Sequence, residues 1–123
     1  MVVIGEAESH FLAEFHPEAR HEFDTELDRR MDFSETAALR YLAAVTRAIQ
    51  DIIFWPEAYP VWEDALTWPE WVGKPIPRSH AVRGFGYRVV FIVVADKPIV
   101  VAVAATKRKT GYWRERGFDY EAR

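Results

Sequence analysis

Arg83 to Trp113, RGFGYRVVFIVVADKPIVVAVAATKRKTGYW, is the stretch that decides the fold. It predicts strands at Gly86–Ala95 and Pro98–Thr106, both rich in Val, Ile and Ala. Continuous apolar runs of this kind belong to central strands covered on both faces. Asp96-Lys97 is expected to be the turn of a tight hairpin, and Pro98 sits at a strand start, where a missing N–H is tolerated. Tyr87 and Phe91 share one strand face and should enter the core, which turns Arg88 to the opposite face. A buried arginine is seldom unpaired, so a helix carboxylate such as Glu22 or Asp51 is one expected partner for Arg88. The second strand runs into Lys107-Arg108-Lys109 and closes on Tyr112-Trp113. Cationic and aromatic groups at the ends of two buried strands suit a phosphate-rich or acidic partner. The plainer alternative is a solvated strand end, with Trp113 capping the core.

Upstream, Ser79–Arg83 predicts a further strand, and Gly84-Phe85-Gly86 a bulge or bend rather than a phosphate loop. Residues 55–77 hold five prolines (56, 60, 69, 75, 77) and four tryptophans (55, 62, 68, 71). That composition makes a loop-rich connector, with one helical turn near Val61–Leu66. Its tryptophans form a lid over the core, since tryptophan is apolar surface first and a recognition group second.

Further back lies an αα-hairpin. Pro17 suits the first turn of a helix, and Ala19, Phe23 and Leu27 recur every fourth residue with acidic residues on the other faces. Asp32-Phe33-Ser34 breaks this helix, and Ser34 is the expected N-cap of the next. Ala38, Tyr41, Leu42, Val45, Ile49, Ile52 and Ile53 mark its apolar stripe, and Trp55-Pro56 ends it. His10–Phe15 alternates as a short strand does, with residues 1–9 either extending it or forming a loose arm. The expected order is β-α-α-β-β-β, an α+β fold with the helix pair on one face of a small, largely antiparallel sheet.

At 123 residues the chain is expected to form a single domain spanning 1–123. No apolar run approaches the roughly 20 residues that span a bilayer. The first fifteen residues lack the basic start and long apolar core of a signal peptide, and there is no cysteine, so a cytoplasmic location is the expectation. His10, His16, His21 and His80 have no metal-binding spacing, and neither metal nor cofactor is expected. Net charge is −3, but residues 1–71 hold five Lys/Arg against fifteen Asp/Glu, and residues 72–123 hold eleven against four. A chain with its charge so divided can be acidic overall and still present a local basic surface.

Several stretches together resemble the RelE/ParE superfamily, the toxins of type II toxin–antitoxin modules. Phe15-His16-Pro17-Glu18-Ala19-Arg20-His21-Glu22-Phe23 is similar to the strand-to-helix opening of ParE-like members. Ile52-Ile53 with Pro56-Glu57-Ala58-Tyr59-Pro60 fits the end of the family's second helix. Arg83 to Phe91 and Val101 to Trp113 resemble its closing strands and basic-aromatic end. The likeness covers most of residues 10–116 and rests on order and spacing, since no single motif is diagnostic.

The resemblance implies the β-α-α-β-β-β fold and neutralisation by a cognate antitoxin covering a basic groove. It leaves two targets open. RelE-type members cut mRNA on the ribosome, and Arg88, Arg108 and Tyr112 match, the last loosely, their two arginines and tyrosine. These are the candidate catalytic residues of that reading. The lysine pair of such enzymes is Ser79 and Ala81 here, with His80 beside them as a substitute proton carrier. ParE-type members bind DNA gyrase, which requires only an anchor patch. Arg83, Lys107, Arg108, Lys109, Tyr112 and Trp113 are the candidate target- or antitoxin-binding residues. Gly111-Tyr112-Trp113 favours this branch, although the histidine common before its basic pair is Thr106. A third reading is a non-toxic binding or regulatory relative.

Overall fold

The computed structural model describes residues 13–109 and 111–116. Helix α1, Pro17–Phe33, starts where proline's fixed φ and missing N–H cost nothing. His16 caps it, its Nδ1 accepting the Glu18 backbone N–H at 3.1 Å. After Ser34, whose hydroxyl accepts the Ala37 N–H at 3.0 Å, α2 runs over Glu35–Phe54. The expected N-cap and both apolar stripes are in place. Ala19, Phe23, Ala38, Tyr41, Val45, Ile49 and Ile52 are all buried.

Four strands form one sheet: β1 (Glu14–Phe15), β2 (Arg78–Val82), β3 (Tyr87–Val94) and β4 (Lys97–Ala105), in the order β1-β4-β3-β2. β2, β3 and β4 are antiparallel neighbours, as expected, while β1 lies parallel to β4 through Glu14 opposite Ile99 and Phe15 opposite Val100. The sheet is therefore mixed. Of the described residues of the strand expected at His10–Phe15, Glu14 and Phe15 are in the sheet. His10 to Leu12 lie outside the described residues, as do residues 1–9.

The β3–β4 turn is one residue earlier than Asp96-Lys97. Val94 pairs with Lys97, leaving Ala95 and Asp96 as the loop at φ 50° and 65°. Two consecutive positive φ values make a type I′ turn, whose twist matches a hairpin. Gly84-Phe85-Gly86 is likewise a turn rather than a bulge, joining β2 to β3 with both glycines at positive φ.

Both sheet faces are covered, by different means. Against the helices pack Val89 and Phe91 of β3 and Val100 and Val103 of β4. The far face carries Val90, Ile92, Ile99, Val101, Ala102 and Ala104. A register shift at Val90/Phe91 puts both Val101 and Ala102 on that side, as a bulge does. The connector holds three short 3-10 helices, Pro56–Ala58, Glu63–Thr67 and Pro69–Trp71, and covers this face with the last two. Trp68 and Trp71 are buried there, and Trp113 joins them at 1% exposure. Trp113 meets Trp62, Trp68 and Trp71 edge-on, with centroids 5.4, 5.4 and 5.9 Å away. Trp55 alone among the five is largely exposed, at 69%.

Candidate functional site: a basic cavity at the sheet end

A cavity of about 230 Å³ opens on the far face, where β3 begins and β4 ends. Arg88, Arg108 and Lys109 line it, with Trp62 and Tyr112 among its aromatic walls. The three candidate catalytic residues, Arg88, Arg108 and Tyr112, thus converge although 24 positions separate the first from the last.

Three features bring them together. Arg88 alternates with Tyr87 on β3 and faces away from the helices. Arg108 follows β4 directly. Tyr112 is returned to the sheet by the segment Gly111–Arg116, which is anchored on both sides. Trp113 enters the tryptophan cluster, and the Trp71 indole N–H donates to the Arg114 carbonyl at 2.6 Å. Arg114 pairs with Glu70 and lies over the Trp68 ring at 4.6 Å. Gly111 permits this docking: its φ is +75°, and a Cβ there would sit 2.7 Å from the Trp68 ring. The Gly-Tyr-Trp run is therefore a close-approach glycine, a site residue and a core anchor in succession.

Arg88 does not pair with Glu22 or Asp51. Those carboxylates lie on the helix side, whereas Arg88 donates through Nε to the Ser79 hydroxyl at 3.0 Å and through Nη2 to the Ser79 carbonyl at 3.4 Å. Ser79 is itself buried. Among the described residues no carboxylate faces Arg88, so a half-buried guanidinium points to a concave space without a counter-ion. Buried charges are normally paired, because leaving water is costly for an unpaired ion.

Glu22 of α1 is the organising carboxylate, and the sequence reading gave it no such role. One oxygen accepts the Val103 N–H at 3.0 Å and Arg116 Nη1 at 2.9 Å. The other accepts Arg116 Nη2 at 2.8 Å, the Tyr112 hydroxyl, and Arg108 Nη1 at 3.3 Å. Arg116 also donates to the Val101 carbonyl at 2.9 Å. Glu22 and Arg116 therefore occupy the backbone groups of β4 beyond the reach of β1, which protects a free strand edge. Tyr112 lies between two guanidiniums, Arg108 at 3.6 Å and Arg116 at 5.1 Å from its ring centre. Burial, reinforced by the hydrogen bond to Glu22, pushes its hydroxyl pKa well above the ordinary range. Tyr112 is thus a proton donor in place, not a base near neutral pH.

The candidate anchor patch divides. Lys107, Arg108 and Lys109 are exposed beside the cavity. Trp113 is core, because the connector's tryptophans close over it, and it has no surface to offer a partner. Arg83 is exposed but opens into a separate groove of about 300 Å³ beside α2, with Arg47, Asp51 and His80. His80 faces that groove, bonded to Asp51 at 3.1 Å and stacked on Tyr59 at 4.0 Å. It is across the sheet from Arg88 and cannot serve as that residue's proton carrier.

Among the described residues no group of three His, Asp or Glu is placed to hold a metal ion, and no helix is long and apolar enough to cross a membrane. Comparison with protein-family models, curated proteins and solved structures found no match to this chain.

Proposed function

We propose that this chain is the toxin component of a type II toxin–antitoxin module of the ParE-like kind. It acts in the cytoplasm by binding an essential protein such as DNA gyrase and is neutralised by a cognate antitoxin. The β-α-α-β-β-β order and a basic cavity at the end of the closing strands support the resemblance on which this rests. The observation that carries binding over cutting is the state of Tyr112. Its hydroxyl donates to Glu22, and burial pushes its pKa up, so the residue a metal-free nuclease would use as base is already engaged. Ser79 and Ala81, where RelE-type enzymes carry lysines, supply no cation to the site. Ser79 instead orients Arg88.

A RelE-like mRNA endoribonuclease is the second reading, favoured by the convergence of Arg88, Arg108 and Tyr112 in one cavity. There the arginines would stabilise the phosphorane, and Tyr112 would act as acid rather than base.

Expression of the chain in a bacterial host separates these readings. ParE-like action arrests growth, inhibits supercoiling by purified gyrase, leaves mRNA 5′ ends unchanged in a translating extract, and is reversed by co-expressing the adjacent gene's product. New 5′ ends within codons would move the assignment to the nuclease. Normal growth at high levels of folded protein would refute toxicity and leave the non-toxic binding module.

A further inference from the structure

A carboxylate has about four lone-pair positions for hydrogen bonds. Four donors already fill those of Glu22 without Arg108: the Val103 N–H, two nitrogens of Arg116 and the Tyr112 hydroxyl. Arg108 is the fifth donor and the most distant, at 3.3 Å. Its side chain is 55% exposed, whereas that of Arg116 is 10% exposed. Arg116 is therefore the permanent partner of Glu22, and Arg108 can leave without stranding a buried charge. Across the cavity Arg88 lacks a counter-ion among the described residues, with Nε and Nη2 committed to Ser79 and Nη1 not.

From this asymmetry we propose that Glu22 is the internal counter-ion of the basic cavity. It parks Arg108 on the Tyr112 ring, and an acidic polypeptide segment binds by drawing Arg108 off Glu22 so that its own carboxylate sits between Arg88 and Arg108. The exchange replaces one carboxylate by another, so the charge around Arg108 is conserved and no proton moves. A carboxylate is favoured over a phosphate because Arg108 already holds one in its resting position. Glu22 thereby sets a threshold. An isolated weak anion does not displace it, and a segment carrying several carboxylates does, because Lys107 and Lys109 beside the cavity add their attraction. The proposal deepens the reading of the cavity as a partner-binding site and rests on it.

The test is fluorescence anisotropy with a labelled decapeptide of Glu and Asp, and with a labelled single-stranded RNA of ten nucleotides, on the full chain at fixed salt. Glu22→Gln should tighten peptide binding by about tenfold, the factor that a change of about 1.4 kcal/mol produces. In an Arg108→Gln background the same substitution should change affinity less than about twofold, because the coupling runs through Arg108. Arg88→Gln alone should weaken binding about tenfold. A merely structural Glu22 would lower melting temperature equally in both backgrounds and leave this non-additivity absent.

Should Glu22→Gln disturb the fold by near-ultraviolet circular dichroism, Glu22→Gln/Arg116→Met removes both buried charges together and should show the same gain. Unchanged or weaker peptide binding in the folded variants overturns the proposal. So does tighter binding of the RNA than of the peptide, which would assign the cavity to nucleic acid. Growth arrest is scored separately. An arresting chain with no Glu22 effect loses this inference alone, and a harmless chain with the effect loses only the toxin reading.

Discussion

Replacing Trp113 by alanine tests whether this residue is core or contact. At 1% exposure it fills the space between the sheet's far face and three connector tryptophans. Truncating a buried tryptophan costs about 3–5 kcal/mol, the transfer loss plus the cavity left behind. The lost edge-to-face pairs belong within that figure and are not added to it, because the connector relaxes only partly. Against a total stability of about 5–15 kcal/mol, Trp113→Ala removes about a fifth or more. At roughly 4 °C per kcal/mol for a chain of this size, the melting temperature should fall by about 12–20 °C. Urea denaturation followed by circular dichroism measures the first quantity and a thermal scan the second. Trp55→Ala is the control, since at 69% exposure it should stay within about 0.5 kcal/mol of wild type. A Trp113→Ala protein within about 1 kcal/mol of wild type would refute the second core and return Trp113 to the surface.

Other predictions concern charge and turns. Hydrogen bonds from Arg29, Arg30 and Tyr87 outweigh the burial that pushes the Glu26 carboxyl up, and hold its pKa at about 2, below the ordinary 4.5. A depressed folded-state value means the stabilisation is full above about pH 4.5 and is lost as pH falls through about 2. The shift corresponds to about 3 kcal/mol at most, and nearer 1–2 kcal/mol once solvent around the largely exposed Arg29 is counted. Urea titrations from pH 6 to pH 2 should show this loss in wild type and a flatter profile in Glu26→Gln. Replacing Ala95-Asp96 by Asn-Gly should raise stability by about 0.5–1 kcal/mol, since both positions have positive φ; a lower urea midpoint would contradict the turn assignment.

Much of the fold was legible because the signals are local. The stripes of α1 and α2, the cap at Ser34, and the stop at Trp55-Pro56 all lie within a few residues of what they determine. β1 was less so: two residues carry no information on whether they pair parallel or antiparallel. The shift from Asp96-Lys97 to Ala95-Asp96 has a similar origin. The flanking Val, Ile and Ala run lacks alternation, so neither its register nor its bulge shows in the sequence. His16 was the missed signal that did exist, a polar side chain immediately before Pro17 and so in N-cap position. The site was half legible. Arg88, Arg108 and Tyr112 could be named from type and spacing, but their partners could not. Glu22 lies 81 residues from Val103 and 94 from Arg116, and no periodicity connects them.

The same long-range pairing alters the meaning of the charge split between the two halves of the chain. A basic C-terminal half invites the inference that its cations face a partner. Yet Arg108 and Arg116 meet Glu22, Arg114 meets Glu70, and Arg116 also approaches Glu18 at 3.9 Å. Each of these carboxylates comes from the acidic half. Part of the asymmetry is therefore internal neutralisation that pins the C-terminal segment to the sheet edge and the connector. The cations left at or near the cavity without a carboxylate among the described residues are Arg88, half-buried on β3, and Lys109 with its near neighbour Lys107, both exposed after the end of β4. Exposed lysines contribute little individually and are screened by salt, whereas a half-buried arginine loses less to screening. In the proposed exchange, specificity therefore centres on Arg88, with Arg108 as the movable second jaw, and the two lysines act chiefly on the rate of encounter. Raising ionic strength should slow association more than it speeds dissociation.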